Sequence, residues 1–145
     1  MGVNAAHSKN EIRGMALWAF RCYLSPDGTD EIRAAYDAKQ RQARQKFGSR
    51  LRILSELPFE EWHSALYKDL HGPAVGIGEI RFEADKLQQR VLGFRSGDGE
   101  FSLVFWAIEK GNKFVPLSAP ATALARKSAV ISGKDTTNAL WLALE

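Results

Sequence analysis

Two arginines face each other in this chain if one short turn sits where its residues put it. Gly78-Glu79-Ile80-Arg81-Phe82-Glu83-Ala84 and Leu87-Gln88-Gln89-Arg90-Val91-Leu92-Gly93-Phe94 flank the dipeptide Asp85-Lys86. A two-residue hairpin turn there pairs Ile80 with Val91, Phe82 with Gln89 and Ala84 with Leu87 on one side. On the other side it sets Arg81 across from Arg90, flanked by Glu79 and Glu83. Like charges opposed on a sheet cost stability. A phosphate held between them would offset that cost, because the planar guanidinium fork matches phosphate oxygens. Solvation of both, or pairing of each with a neighbouring glutamate, answers the same pattern. Lys68, His71, Lys110 and Lys113 add cations nearby in sequence. Such a set suits metal-free RNA cleavage: a base takes the proton of the 2′-hydroxyl, and cations stabilise the phosphorane and the departing oxygen. Arg81 and Arg90 fit the phosphate clamp; Lys68, His71 or Lys110 fits proton transfer, and His71 has the most suitable unperturbed pKa. The plainer reading of His71 is a loop histidine beside Gly72-Pro73.

Other chemistries find no footing in the residue pattern. His7, His63 and His71 lack the spacing of a zinc site, and Cys22, the single cysteine, lies far off. With one cysteine there is no disulfide framework, so a reducing cytoplasm is the expected location. No P-loop, dinucleotide fingerprint or nucleophile elbow occurs, and no cofactor is expected. Gly76-Ile77-Gly78 opens like a dinucleotide motif, but Arg81 stands in the third glycine's place. The net charge is only +3, yet Lys39, Arg41, Arg44, Lys46, Arg50 and Arg52 come in one run without an acid. Such a run is either a solvated helix face or a footprint for RNA or an acidic partner, with Arg41, Arg44 and Lys46 as candidate RNA contacts.

The elements that must carry these residues follow from periodicity. The 145 residues suffice for one domain with its own core, expected over 16–145, behind a polar extension at 1–15 without a signal-peptide h-region. Trp18, Phe20, Cys22 and Leu24 alternate as a half-buried strand, and Ser25-Pro26-Asp27-Gly28 turns the chain. Thr29 is placed to cap a helix carrying Ile32, Tyr36, Ala43 and Phe47, broken or bent at Gly48-Ser49. A second helix carries Leu51, Leu54 and Leu57 up to Pro58. Trp62, Leu66 and Leu70 predict a short helix within 59–70. Strands follow over 77–84, 87–95 and 101–109, with a turn at Ser96-Gly97-Asp98-Gly99. In the third, Phe101, Leu103 and Phe105 alternate with Val104, Trp106 and Ile108, as in a central strand covered on both faces. A helix over 121–130 and a last one over 137–144, docked by Leu140, Trp141 and Leu144, complete an α+β chain.

Four blocks in order carry a family resemblance: Lys68-Asp69-Leu70-His71-Gly72, Gly78-Glu79-Ile80-Arg81-Phe82, Arg90-Val91-Leu92-Gly93-Phe94 and Lys110-Gly111-Asn112-Lys113. Between Leu17 and Val130 the chain resembles the RelE/HigB/ParE toxin superfamily, and most of all its phage-associated HigB-type branch. The resemblance implies a RelE-like α+β fold, an antiparallel sheet behind an N-terminal helical pair with a C-terminal helix. It implies a toxin–antitoxin component that cleaves mRNA on the ribosome and is restrained by a cognate antitoxin, expected to be a helix-turn-helix protein. On that basis Arg81, Arg90 and Lys68 match motif positions, and Lys110 and Lys113 match a basic segment before the last helix. Gln89 stands where the family has an aromatic, Glu109 replaces one of its paired lysines, and Pro116 and Pro120 displace its helix-opening proline. A ParE-like protein-binding toxin, or an inactive phage-derived interaction module, fits the same blocks.

Overall fold

The structure is a computed structural model that describes residues 16–144; the expected extension over 1–15, and Glu145, lie outside the described residues. Strand β1 (Ala19–Leu24) points Phe20 and Cys22 into the core, as its alternation requires. After the Ser25–Gly28 turn, α1 (Glu31–Asp37) is capped by Asp30 and not by Thr29. The Asp30 carboxylate accepts from the Arg33 N–H at 2.9 Å, satisfying one of the free donors of the first turn.

The sequence places a break at Gly48-Ser49, but the chain breaks at residues 38–40 and α2 (Arg41–Ser55) runs through the glycine. The earlier break folds α1 back on α2, so that Tyr36 meets Phe47 edge-on at 5.7 Å. Gly48 serves a close approach instead: a Cβ there would lie 3.4 Å from Leu142 Cδ2. The helix expected within 59–70 is also replaced. Only the 3-10 turn Phe59–Glu61 forms, and β2 (Tyr67–Asp69) pairs antiparallel with residues 78–80. The apolar spacing of Trp62 instead serves packing: its indole N–H donates to the carbonyls of Leu54 and Leu57, each at 3.1 Å.

Strands β3 (Gly78–Ala84), β4 (Leu87–Gly97) and β5 (Glu100–Lys110) form the expected meander. Asp85 and Lys86 take positive φ of 56° and 62°, the left-handed pair that matches a two-residue turn to strand twist. Strand β6 (Lys113–Val115) returns along β5, and α3 (Ala119–Ile131) starts with Pro120 in its first turn. The last helix expected over 137–144 is a strand, β7 (Thr136–Ala139), antiparallel to β1. It occupies the outer edge of β1 that would otherwise leave backbone donors unpaired. Leu140, Trp141 and Leu144 still dock on the core, with Trp141 5.2 Å from Tyr36.

The seven strands make one open sheet in the order β2-β3-β4-β5-β1-β7, with β6 beside β5 and β1 parallel to β5. Helices α1 and α2 pack on one face and α3 on the other, so β5 is covered on both sides as its composition requires. Its simple alternation does not survive. Leu92 pairs with Phe105 and Gly93 with Leu103, leaving Val104 as the extra residue of a bulge. Past the bulge Trp106 joins Phe101 and Leu103 on the α1–α2 side, stacked 4.7 Å from Phe47, while Phe105 turns to the α3 side. No helix among the described residues is long and apolar enough to cross a membrane.

Candidate functional site

The hairpin register comes out as the turn dictates: Arg81 is the direct partner of Arg90, and Lys68 on β2 is the partner of Glu79. In antiparallel pairs opposed residues share a face, so Lys68, Glu79, Arg81, Arg90 and Glu109 lie on the α3 side of the sheet. Two carboxylates answer the two opposed arginines. Arg90 Nε donates to Glu109 Oε1 at 2.8 Å and lies 3.6 Å from Glu79 Oε2. Its Nη1 donates to the Gln89 carbonyl at 2.9 Å and its Nη2 reaches Gln88 Oε1 at 3.4 Å. With Arg90 only 4 % exposed, this guanidinium is a buried, fully partnered ion and not an open clamp.

Arg81 is different. Its Nε sits 3.2 Å from Glu79 Oε2, but the approach lacks hydrogen-bond direction and leaves that buried N–H without an acceptor among the described residues. Nη1 donates to the Ser64 carbonyl at 2.9 Å, and about a quarter of the side chain remains exposed. Glu79 between them is 5 % exposed. Burial pushes its carboxyl above the usual range; Arg90 and Arg81 pull it back down, the Glu109 charge pushes it up, and Lys68 lowers it least.

A residue that sequence reasoning left in the basic run joins this group. Among the described residues the outer edge of β3 has no strand partner beyond Ile80, where β2 ends and the Arg81 N–H turns to the Leu66 carbonyl at 2.8 Å. Arg50, near the end of α2, reaches this edge from the opposite face, and its Nη1 donates to the Arg81 carbonyl and, at 3.3 Å, to that of Ala65. Among the described residues its buried Nε has no partner, and burial holds its guanidinium below the ordinary arginine range. The notch beside it is an open cleft of about 280 Å³ lined by Arg50, Ser64, Arg81, Glu83, Gln88 and Arg90. The only sequence signal for Arg50 was its place in the acid-free run.

The remaining candidates are dispersed. His71 is exposed and lines a separate apolar groove of about 390 Å³ with Leu70, Phe114, Leu117 and Leu124. Lys110 and Lys113 pair across the β5–β6 turn, both exposed at its tip. Arg41, Arg44 and Lys46 stand on α2, on the opposite side of the sheet from Arg81 and Arg90; the Arg44 guanidinium is spent on the Lys39 carbonyl. Gln89 is buried and accepts the Trp106 indole N–H at 2.8 Å. Among the described residues no group of three or more His, Cys, Asp or Glu is placed to hold a metal ion. No protein-family model, curated protein or solved structure matches the chain.

Proposed function

We propose that this protein is a RelE/HigB-like toxin, an endoribonuclease that cuts mRNA in the ribosomal A site and is held in check by a cognate antitoxin. One observation carries the reading: Arg81 and Lys68, two positions of the resembled motifs, lie on one sheet face beside a buried glutamate that holds Arg81 and Arg90 together. The helical pair on one side of the sheet supports the reading, although the sheet is mixed and not antiparallel throughout, since β1 runs parallel to β5. In this reading Arg81 holds the scissile phosphate through the part of its guanidinium that protein does not use, and Arg90 fixes Glu79 beneath it. Lys68, exposed opposite Glu79 in the strand register, is the residue assigned to proton transfer. The 2′-oxygen gives up its proton as it bonds to phosphorus, the bond from phosphorus to the 5′-oxygen breaks, and that oxygen takes a proton. The products are a 2′,3′-cyclic phosphate and a 5′-hydroxyl. His71, seated in its own groove, has a binding role at most.

Induced expression should arrest growth and leave ribosome-dependent cuts in mRNA, read by primer extension. Arg81→Gln should abolish the cuts, and cuts undiminished in that variant would exclude this site. The second reading, a superfamily member that acts by binding protein, draws on the neutralisation of Arg90 by Glu79 and Glu109. It predicts growth arrest with mRNA intact.

A further inference from the structure

We infer that the notch at the open edge of β3 is the phosphate seat itself, in which Arg50 joins Arg81 to hold the backbone phosphate of single-stranded RNA at which the chain is cut. The choice of RNA rests on the nuclease reading; the anion site itself does not. Arg50 and Arg81 come from opposite faces of the sheet and meet where β2 stops covering β3. Each is anchored at one end, Arg50 to the carbonyls of Arg81 and Ala65 and Arg81 to that of Ser64, so their forks are held before any ligand arrives. Anchoring lowers the ordering cost of binding.

Their Nε–H groups are the only buried side-chain donors or acceptors among the described residues without a partner. An unmet buried N–H costs free energy, and two of them on neighbouring guanidiniums bordering one cleft call for an acceptor. Among the described residues the Nη2 groups of both also lack a protein acceptor. The carboxylates do not fill the need. Glu109 is bonded to Arg90, Glu79 reaches Arg81 without hydrogen-bond direction, and Glu83 makes no ion pair among the described residues. A phosphate offers several acceptor oxygens and a charge, which two forks can share. The cleft, about 280 Å³ and open to solvent, admits a phosphodiester but not a buried nucleotide.

The test uses inorganic phosphate and a single-stranded deoxyoligonucleotide, which lacks the 2′-hydroxyl and binds without being cut. In the full chain labelled with nitrogen-15, phosphate should shift the Nε–H resonances of Arg50 and Arg81 saturably and leave that of Arg41, exposed on α2, in place. Arg50→Gln should flatten the salt dependence of oligonucleotide binding by about 0.7 in the log–log slope, the amount for one phosphate on a single strand. Arg50→Lys should restore the slope. An unmoved Arg50 resonance overturns the inference even if Arg50→Gln fails to fold, and so does an unchanged slope in a folded Arg50→Gln. Saturable shifts at both arginines without RNA cleavage would leave the anion site standing and remove the nuclease reading. Cleavage with Arg50 unmoved would do the opposite.

Discussion

Replacing Arg90 should damage the fold before it damages any chemistry. The Arg90→Met variant keeps the bulk but takes the cation from between Glu79 and Glu109, 3.6 and 2.8 Å away. Removing one partner of a buried ion pair typically costs about 3–5 kcal/mol, because the other charge is left without compensation. The low end applies here: the Glu109 side chain is 25 % exposed and can turn to water, and Glu79 keeps Arg81 at 3.2 Å. A loss of about 3 kcal/mol lowers Tm by roughly 10 °C in a chain of this size. The pH dependence separates this cause from a loss of packing. Glu79 already sits above the usual carboxylate range because burial outweighs the pull of Arg90 and then Arg81. A carboxyl raised in the folded state favours folding when protonated; that contribution is full below its unfolded pKa and is lost as pH rises through the folded one. Without Arg90 the folded pKa rises further, so the loss on going to neutrality grows. Circular-dichroism melts of wild type and Arg90→Met should differ most near neutral pH and converge toward about pH 4.5, where an ordinary Glu is half protonated. Equal melting at neutrality, or a gap that acid does not narrow, would refute this account of the ion cluster. It also follows that Arg81, and not Arg90, is the position at which to test cleavage.

Two further substitutions probe the scaffold. Gln89→Leu should cost about 1–2 kcal/mol in urea unfolding by orphaning the buried Trp106 N–H, and should cost far less in a Trp106→Phe background; equal costs in both would show that the 2.8 Å bond contributes nothing. Gly93→Ala should destabilise by about 3 kcal/mol or more, because its Cβ would meet the Ser102 carbonyl oxygen within hard-contact distance at the β4–β5 bulge; a well-folded variant with unchanged Tm would mean the strands can part there.

What could be read from the residues was local. The hairpin register was legible because Asp85 and Lys86 admit a two-residue turn, and that turn fixes every cross-strand pair after it. The α3 helix and the central, doubly covered β5 were legible because their apolar patterns span whole elements. Strands β2 and β7 were not. Three or four residues carry no period, and Tyr67–Asp69 and Thr136–Ala139 become strands only because an edge of β3 or β1 lies open to them. The bulge at Val104 likewise inverted the faces of Phe105 and Trp106, since an extra residue in one strand is defined by its partner.

The site divides along the same line. By itself the sequence determined that Arg81 and Arg90 are opposed, within one short stretch of backbone geometry. Tertiary structure alone decided which of these cations stays partly exposed. It buried Arg90 between Glu79 and Glu109, sent His71 and the α2 cations elsewhere, and brought Arg50 through an open strand edge to Arg81. Charge pairing and desolvation depend on distances between residues far apart in the chain, and only the packed sheet sets those distances.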